Sequence, residues 1–559
     1  MPTFLQLRNQ LPVGQTFAGI RESGRIYVDK TRYLYDLATS DQPWLLTRPR
    51  RFGKSTLVSA FEELFLHGVA PYDGHESYFK GLEIEHLWPQ LPDNEGPFYV
   101  LHLDFGELLI DCQSVADFKD QLNEAIVQFA SDAHLELKTT EGSKQNAFKL
   151  LLKAVPNGSL VLLVDEYDAP LTTLLEADDD AASKAMTKAL HDFFLLVKTN
   201  SRKFRFTFIT GITRLKDTSM FSVGNAIVDI SQDPYFGAIC GITREELQSY
   251  FPEHLRCAAA QWLKLPVEQV SSQQVEQLVN ELAAWYDGYC FDSDGENQVF
   301  SLWSVLCFFR AHNTKFSPYW FEVSGQRQLR KILSQKSWQE RSKLLSGESL
   351  QVGLGDFLSP STLQTMLPEV LLFQAGYLTL KSPVDFIVSL GVPNKEIEIA
   401  LTRETFAEFL PNFKEVFESY STKLRTAVET HDAAGLQQCC NELLHGADYD
   451  HYPLTQESAI AFGLKLGISL SLHVRVDLNK HEALGRPDVL FDWQDTTVVI
   501  ELKYAQTKGD TQKLLQQAVQ QILDKKYGET YDRRQILWRL AMVFCAESRK
   551  ITAVQVVSA

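Results

Sequence analysis

The stretch RPRRFGKST, residues 48–56, follows the short apolar segment PWLLT and decides how the N-terminal part of the chain folds. Its second half matches the end of the phosphate-binding pattern G-x-x-x-x-G-K-[ST], but Arg48 stands where the first glycine belongs. A phosphate loop must leave a buried strand and enter a helix, because loop amides and the helix N-terminus hold the phosphates. The segment TLVSAFEELFLHG that follows has apolar residues at helical spacing. Strand, loop and helix therefore occur in the required order, and a basic surface turn is the alternative.

A pair of carboxylates follows a second apolar run. In SLVLLVDEYDAPL, residues 159–171, the run ends in Asp165 and Glu166. Such a run predicts a central parallel strand, and functional groups gather at the carboxyl ends of these strands. Asp165 is suited to holding Mg²⁺ and Glu166 to polarising an attacking water, whereas the alternative is a solvated acidic turn.

Two further segments complete a predicted sheet. KFRFTFITGITRL, residues 203–215, alternates like a strand and ends in Thr210 and Arg214, which we expect to sense and contact a γ-phosphate. YVLHLDFGEL, residues 99–108, supplies another strand. Four strands separated by helical stretches predict a doubly wound α/β sheet of the P-loop NTPase type.

Four segments together resemble a known family. IYVDKTRYLYDL, RPRRFGKST, LLVDEYDAPL and FITGITRLKDTSMFSVGNAIVDIS resemble the bacterial AAA-ATPase-like proteins that often carry a C-terminal PD-(D/E)XK nuclease domain, and the likeness covers most of the chain. It implies that the loop containing Arg48 is the family's own form, and that Asp29 and Lys30 also match the family. We expect Asp29 to cap a helix that begins near Thr31. The nucleotide-binding residues implied are Arg51, Phe52, Gly53, Lys54, Ser55, Thr56, Asp165, Thr210 and Arg214, with Ser55 and Asp165 at Mg²⁺.

A second constellation lies near the C-terminus, in GRPDVLFDWQDTTVVIELKYAQ, residues 485–506. A hairpin with its turn at Gln494-Asp495 would place Glu501 and Lys503 on one face of a strand, beside Asp488 from the preceding strand. The two carboxylates, helped by a main-chain carbonyl, are suited to Mg²⁺, and the lysine to orienting water and stabilising charge at a phosphate. A cross-face ion pair is the structural alternative.

Predicted helices flank this hairpin. QESAIAFGLKLGISL begins near Glu457, and KLLQQAVQQILDKKY is amphipathic, with Leu515, Val519, Ile522 and Leu523 expected on its apolar side. Helix, hairpin and helix resemble the PD-(D/E)XK nuclease core. The resemblance implies that Glu457 is a metal-site acid with Asp488 and Glu501, that Gln521 lies near the metal, and that Lys525 and Tyr527 belong to the closing pattern. A Q-x-x-x-Y motif is absent, so RecB-like processing of DNA ends is not implied.

The middle of the chain is expected to connect the two constellations. Residues 241–340 look helical, open with a capping box at Thr243 and Glu246, and suggest either a nucleotide-responsive lid or plain helical packing. Two short strands and helices suggest a small connector. The predicted domains are 1–240 (AAA-ATPase-like), 241–340 (helical lid), 341–445 (connector) and 446–559 (PD-(D/E)XK nuclease-like α/β/α).

Composition limits the classes of protein. The formal net charge of −17 over 559 residues argues against coating nucleic acid along the whole surface but allows a local basic channel. The eight cysteines form no C-x-x-C pair, and free thiols in a reducing compartment are expected. No signal peptide and no apolar run of about 20 residues is evident, so we expect a soluble, cytoplasmic protein without a membrane partner.

These observations predict an ATP-binding and ATP-hydrolysing protein that controls a metal-dependent nuclease. The expected catalytic residues are Glu166, Asp488, Glu501 and Lys503; the cofactors are ATP and Mg²⁺, with Mn²⁺ as an alternative at the nuclease site. The expected partner is nucleic acid, DNA ahead of RNA, and a homo-oligomer is open. Defence against foreign DNA or mobile-element biology fits the architecture by association. The rival is a nucleotide-switched signalling or assembly module whose nuclease fold only binds.

Overall fold

A computed structural model describes most of the chain, in two compact units. Described are residues 4–12, 14–40, 42–88, 98–137, 146–176, 180–214, 227–311, 314–321, 329–330, 332–333, 336–358, 366–410, 417–450, 452–480, 482, 484–529 and 536–558. The first unit comprises 1–328 and 349–394, and the second 329–348 and 395–559. The predicted ranges 241–340 and 341–445 are each divided between these units, and the four-part division stays a prediction.

The first unit is built on a parallel five-stranded sheet. Its strands are β1 (Pro43–Thr47), β2 (Tyr99–Asp104), β3 (Leu160–Asp165), β4 (Phe204–Gly211) and β5 (Val228–Asp229), in the order β2-β3-β4-β1-β5. Every residue of β3 is buried, as its unbroken apolar run predicts for a strand covered on both faces. The four predicted strands are therefore present, and their carboxyl ends meet at one edge of the sheet.

Helices cover this sheet and extend beyond it. They are α1 (Phe4–Asn9), α2 (Phe17–Glu22), α3 (Thr31–Ala38), α4 (Lys54–His67), α5 (Ile84–Leu87), α6 (Val115–Asp132), α7 (Ala147–Ala154), α8 (Ala169–Glu176), α9 (Asp180–Thr199), α10 (Arg244–Tyr250), α11 (Pro252–Leu263), α12 (Ser272–Tyr286) and α13 (Leu302–Arg310). Phe61 of α4 packs its ring 4.8 Å from those of Phe206 and Phe208 on β4. The predicted capping box of Thr243 and Glu246 opens α10, because each side chain accepts a hydrogen bond from the other residue's amide.

Smaller elements complete the first unit. The hairpin β6 (Tyr289–Cys290) and β7 (Gln298–Val299) precedes α13. A three-stranded antiparallel sheet in the order β8-β10-β9 follows, made of β8 (Leu350–Gly353), β9 (Thr379–Leu380) and β10 (Ile387–Gly391). The helices α15 (Leu354–Leu358) and α16 (Pro368–Gln374) lie between β8 and β9 in the chain.

The second unit is a mixed sheet with helices. Its strands, β11 (Val476–Leu478), β12 (Val489–Trp493), β13 (Thr496–Ala505), β14 (Ile536–Cys545) and β15 (Lys550–Val556), lie in chain order. Only β13 and β14 of these described strands pair in parallel. The helices are α14 (Trp338–Leu345), α17 (Lys395–Phe409), α18 (Phe417–Glu429), α19 (Ala433–His445), α20 (Glu457–Leu472) and α21 (Thr511–Lys525).

The helix α21 packs on this sheet through a narrower stripe than predicted. Leu515, Ala518 and Ile522 are buried in a core cluster with residues of β13 and β14, and Val519 packs against that cluster. Leu523 is 40% exposed, so its assignment to the apolar side was wrong. It lies one residue beyond Ile522, which turns it about 100° away from the buried stripe.

The structure also bears on the state of the cysteines and on membrane-spanning helices. All eight cysteines are free, as their spacing predicted. None of the helices in the described ranges combines the length and apolar character that crossing a membrane requires.

Candidate functional site

The loop between β1 and α4 closes through two left-handed residues. Arg51 has φ 69° and Gly53 has φ 100°, after which α4 begins at Lys54. Glycine adopts this conformation readily, whereas an arginine does so rarely and usually where the surroundings hold it. The Arg51 guanidinium lies 4.5 Å from the ring of Trp303, which supplies such a hold. The N-terminus of α4 therefore faces the loop, as phosphate binding requires.

Arg48 explains how the loop closes without its first glycine. Its main-chain N–H donates to the oxygen of Gly211, 3.1 Å away, so the backbone continues the strand instead of turning there. Its side chain is 1% exposed and donates to the carbonyl oxygens of Thr47 (2.9 Å), Ser231 (2.7 Å) and Phe236 (3.0 Å). Arg48 is thus an internal anchor that joins the loop to the segment after β5, and not part of a basic surface turn.

Lys54 is held inside its own loop. Its ammonium donates to the carbonyl oxygens of Arg48 and Pro49, each at 3.0 Å. The side chain is buried, and this burial lowers its pKa although Asp165 opposes the shift. Phosphate oxygens are stronger acceptors for an ammonium than neutral carbonyls, so the donor is suited to a nucleotide phosphate.

The predicted acidic pair lies at the carboxyl end of β3. Asp165 is buried, and its Oδ1 accepts from the hydroxyl of Thr210 on β4 and from the Glu166 N–H at 2.9 Å. Glu166 has φ 50°, a backbone state that is uncommon outside glycine and clusters at functional sites. Burial and then the carboxylate of Asp104 raise the pKa of Glu166, while Lys54 lowers it. A raised pKa favours a group that accepts a proton near neutral pH.

Asp104 was not predicted as a site residue. It ends β2 directly beside Asp165 in the parallel register, and its Oδ1 accepts from the amides of Gly106 (2.8 Å) and Glu107 (3.1 Å). The signal was present in the sequence, because YVLHLDFGEL was recognised as a strand and Asp104 is the first polar residue at its carboxyl end. Asp104 therefore adds a carboxylate beside the two that were expected.

Arg214 has a different partner from the one predicted. Its guanidinium forms an ion pair with Asp229 and donates to Gln232 Oε1 at 3.2 Å, and its N–H donates to Gln374 Oε1 at 3.0 Å. Both charged side chains are largely buried. Contact between Arg214 and a γ-phosphate stays a prediction, and it would require this ion pair to open.

A cavity of about 650 Å³ adjoins the loop. It is lined by residues of four parts of the first unit: the N-terminal segment 12–30, the loop with the start of α4, Glu166 after β3, and residues 239–306. Among the predicted nucleotide-binding and catalytic residues, it touches Arg51, Phe52, Gly53, Lys54, Ser55, Thr56 and Glu166. Residues from position 239 onward thus form one wall of this cavity. For residues 241–340 the sequence left two interpretations open, a nucleotide-responsive lid or plain helical packing.

Asp29 and Lys30 connect two walls of the cavity. Asp29 Oδ1 accepts from the N–H of Thr31, the first residue of α3, at 2.9 Å, but Lys30 and not Asp29 occupies the N-cap position of that helix. The buried ammonium of Lys30 donates to Glu246 (2.5 Å) and to the oxygen of Ala238 (2.8 Å). Lys30 lines the cavity, and burial lowers its pKa. No local pattern indicates a role for Lys30, because its partners lie more than 200 residues away in the chain.

The second constellation comes together on the β12–β13 hairpin, whose turn lies at Gln494-Asp495 as predicted. Lys503 Nζ donates to Glu501 Oε1 at 2.7 Å, and lies 3.9 Å from Glu457 Oε2. Asp488 Oδ2 accepts from the N–H of Leu502 at 2.7 Å. Glu457, the first residue of α20, accepts from the N–H of Tyr504 at 3.2 Å. All four predicted residues therefore surround one stretch of β13.

The electrostatics of this site favour a cation. Glu501 is 1% exposed, and its Oε2 is buried without a hydrogen-bond partner among the described residues. Burial raises the pKa of Asp488 to about 6, and burial together with Asp488 raises that of Glu501 to about 7. Buried carboxylates that repel one another need a compensating positive charge.

A metal ion fits these donors after a rearrangement. In the described part of the chain, no group of three or more His, Cys, Asp or Glu side chains is already arranged to hold a metal. Here the ammonium of Lys503 lies at Glu501 and at the oxygen of Leu502 (3.0 Å), a carbonyl predicted to contact the metal. The free Oε2 of Glu501 and the oxygens of Asp488 and Glu457 are the hard ligands that a divalent ion prefers.

The closing pattern of the second unit lies near this site. Gln521 Nε2 on α21 donates to the hydroxyl of Tyr527 at 3.2 Å. Tyr527 is buried, which raises its pKa, and Glu501 and Asp488 add to that shift. Lys525 is exposed. Gln521 and Tyr527 are therefore hydrogen-bonded to each other, whereas Lys525 faces solvent.

Comparisons with known proteins agree with the motifs. Residues 12–221 match the family model described as predicted AAA-ATPase, and residues 456–554 match that of the PD-(D/E)XK nuclease superfamily. Over 558 residues the chain is 26% identical to the uncharacterized protein in the vnfD 5' region of Azotobacter chroococcum mcd 1, covering 97% of this chain and 98% of that protein.

The two matched segments contain the two constellations, and their families generally use a nucleotide and a divalent metal ion. At family level they are an ATPase-like and a nuclease-like hydrolase domain, which makes the protein nucleotide-binding and nuclease-like. The resemblance drawn from the motifs is confirmed: the chain carries an AAA-ATPase-like domain followed by a C-terminal domain of the PD-(D/E)XK nuclease superfamily.

Proposed function

We propose that this protein is an ATP-binding and ATP-hydrolysing switch that controls a Mg²⁺-dependent nuclease acting on DNA. The observation that carries the proposal is the buried, unpartnered Oε2 of Glu501 beside Asp488 and Lys503. Retaining such an oxygen is costly, because an unmet buried acceptor costs about 1–3 kcal/mol and more when charged. A site that binds a cation during its working cycle accounts for that cost.

The residues of the second unit have separate tasks in this proposal. A divalent ion at Glu457, Asp488 and Glu501 supplies a polarised water and neutralises charge at the phosphodiester. Asp488 is oriented by the Leu502 amide, and Glu457 by the Tyr504 amide. The Lys503 ammonium, which here donates to Glu501, would contact the attacking water and the phosphate oxygens. Mn²⁺ has similar ligand preferences and is the expected substitute.

The first unit supports ATP binding by a comparable division of tasks. Lys54 exchanges its two carbonyl partners for phosphate oxygens, and Ser55 and Asp165 hold Mg²⁺. Thr210 fixes the Asp165 carboxylate, and Glu166 accepts the proton of the attacking water. The cavity of about 650 Å³ beside Lys54 is of the size that small-molecule sites have.

The proposal also covers the nucleic-acid substrate and the biological role. The net charge of −17 favours contact with DNA confined to the neighbourhood of the nuclease site, and RNA is the competing substrate. Self-association, a cytoplasmic location, and a role in defence against foreign DNA or in mobile elements belong to the same proposal. These parts of the proposal rest on the presence of the two domain families in one chain.

Cleavage of plasmid and linear DNA in Mg²⁺ or Mn²⁺, with and without ATP, tests the nuclease. Wild type is compared with Lys503→Ala and with Lys508→Ala, a matched control that removes an exposed lysine five residues along the chain. We expect cleavage by wild type and by Lys508→Ala, and none by Lys503→Ala. Lys503→Ala should still bind DNA, because the carboxylates and the metal remain.

Two results would count against the nuclease. Equal cleavage by wild type and Lys503→Ala would mean that another site, or a contaminant, cuts the DNA. No cleavage by wild type under any nucleotide condition, with DNA binding retained, would favour a nucleotide-switched module whose nuclease fold only binds.

A further inference from the structure

The cavity beside the phosphate loop has mainly apolar walls and one unusual amide. Ile20, Val28 and Leu302 are among the side chains that line it. Gln15 lines the same cavity, and its Oε1 is buried with no hydrogen-bond partner in the described residues. Apolar walls suit a nucleobase, but apolar contacts do not distinguish one purine from another. The amide of Gln15 is a polar group of this lining whose oxygen has no partner in the described residues.

The backbone next to Gln15 is fixed to the helix that carries the phosphate loop. The N–H of Phe17 donates to Ser59 Oγ at 2.8 Å, and Ser59 lies one turn beyond Ser55 on α4. The hydroxyl of Thr16 caps α2 by accepting from the N–H of Gly19 at 3.2 Å. The backbone beside Gln15 is therefore fixed to the helix that begins at the phosphate loop.

We propose that Gln15 selects adenine over guanine at this site, an inference that rests on the proposed nucleotide binding. A glutamine amide pairs with adenine through two bonds, because its oxygen accepts from the N6 amino group and its NH₂ donates to N7. Guanine presents acceptors at both O6 and N7. The NH₂ group of the amide can then donate to only one of these two acceptors. The amide oxygen lies opposite the other acceptor, which has no hydrogen to donate to it. The buried Oε1 of Gln15 is left unmet by guanine and is met by adenine.

The test measures dissociation constants for ATP, GTP and 7-deaza-ATP by calorimetry, with wild type and Gln15→Leu. Leucine keeps the bulk of the side chain and removes both hydrogen-bonding groups. A bidentate amide–base pair is worth about a 5- to 150-fold preference. We expect wild type to prefer ATP over GTP by that factor and to bind 7-deaza-ATP, which lacks the N7 acceptor, more weakly than ATP. Gln15→Leu should lose both differences.

The outcomes separate this inference from nucleotide binding itself. Equal affinity of wild type for ATP and GTP, or a preference that survives in Gln15→Leu, overturns the role of Gln15 and leaves nucleotide binding standing. Equal affinity of wild type for ATP and 7-deaza-ATP also counts against the paired amide, without relying on a variant. Failure of wild type to bind any of the three nucleotides overturns nucleotide binding, and the inference with it.

Discussion

Replacing Arg48 by glycine restores the general phosphate-loop pattern, yet we expect Arg48→Gly to damage the site. The carbonyl oxygens of Thr47, Ser231 and Phe236 would each lose a donor, at distances of 2.9, 2.7 and 3.0 Å in the wild type. The Phe236 oxygen keeps a donor in the Ile239 N–H, so the cost falls on the other two buried acceptors, at about 1–3 kcal/mol each and at least about 2 kcal/mol together. The new glycine adds about 0.5–1 kcal/mol through the freedom it gains in the unfolded chain.

Hydrogen exchange in increasing urea measures this effect where it occurs. Peptides covering β3, which is buried throughout, report the free energy of unfolding of the first unit. We expect a loss of at least about 2.5–3 kcal/mol for Arg48→Gly, together with weaker ATP binding. The matched control is Arg50→Ala, which truncates an exposed arginine two residues away and should change the free energy by less than about 0.5 kcal/mol.

The reasoning would be refuted by an Arg48→Gly variant as stable as Arg50→Ala, or by one that binds ATP more tightly than wild type. Either result would mean that Arg48 does not stabilise the loop. It would then be only a substitution that the phosphate-binding pattern tolerates in place of its first glycine.

Three further predictions address the first unit. Lys54→Ala should remove ATP binding in calorimetry while circular dichroism stays unchanged, and unchanged ATP affinity would exclude Lys54 from the site. Glu166→Gln should bind ATP but hydrolyse it about 10²–10⁴-fold more slowly in a phosphate-release assay, and turnover within a factor of about two would exclude it as the base. Burial raises the pKa of Asp287 to about 6, so the native state keeps a proton that the unfolded carboxyl releases at lower pH. The free energy of unfolding should therefore fall as the pH rises from about 4 to 6. In Asp287→Asn, the free energy measured by urea unfolding should not show this fall.

The parts of the fold set by local pattern were predictable. The apolar run before Asp165 and the alternation around Glu501 identify buried strands, because burial on both faces or on one face leaves its own period in the sequence. The order of strand, loop and helix around Lys54 is equally local. These patterns were sufficient to place most of the residues at the two candidate sites.

Contacts between distant segments were not predictable in the same way. Arg48 looks like a surface residue in a basic turn, and its partners at Ser231 and Phe236 are 183 and 188 residues away. Arg214 looks free to reach a phosphate until Asp229 is placed beside it. The grouping of residues 349–394 with the first unit and of 329–348 with the second depends on such distant contacts as well, and no local pattern indicates it.

The central claim is that nucleotide in the first unit controls a nuclease in the second. It is tested most directly by the initial rate of Mg²⁺-dependent DNA cleavage, with and without ATP, in wild type and in Lys54→Ala. The account predicts that ATP changes the rate for wild type and leaves the rate for Lys54→Ala unaltered. A wild-type rate that is the same with and without ATP, or the same response to ATP in both proteins, would contradict it.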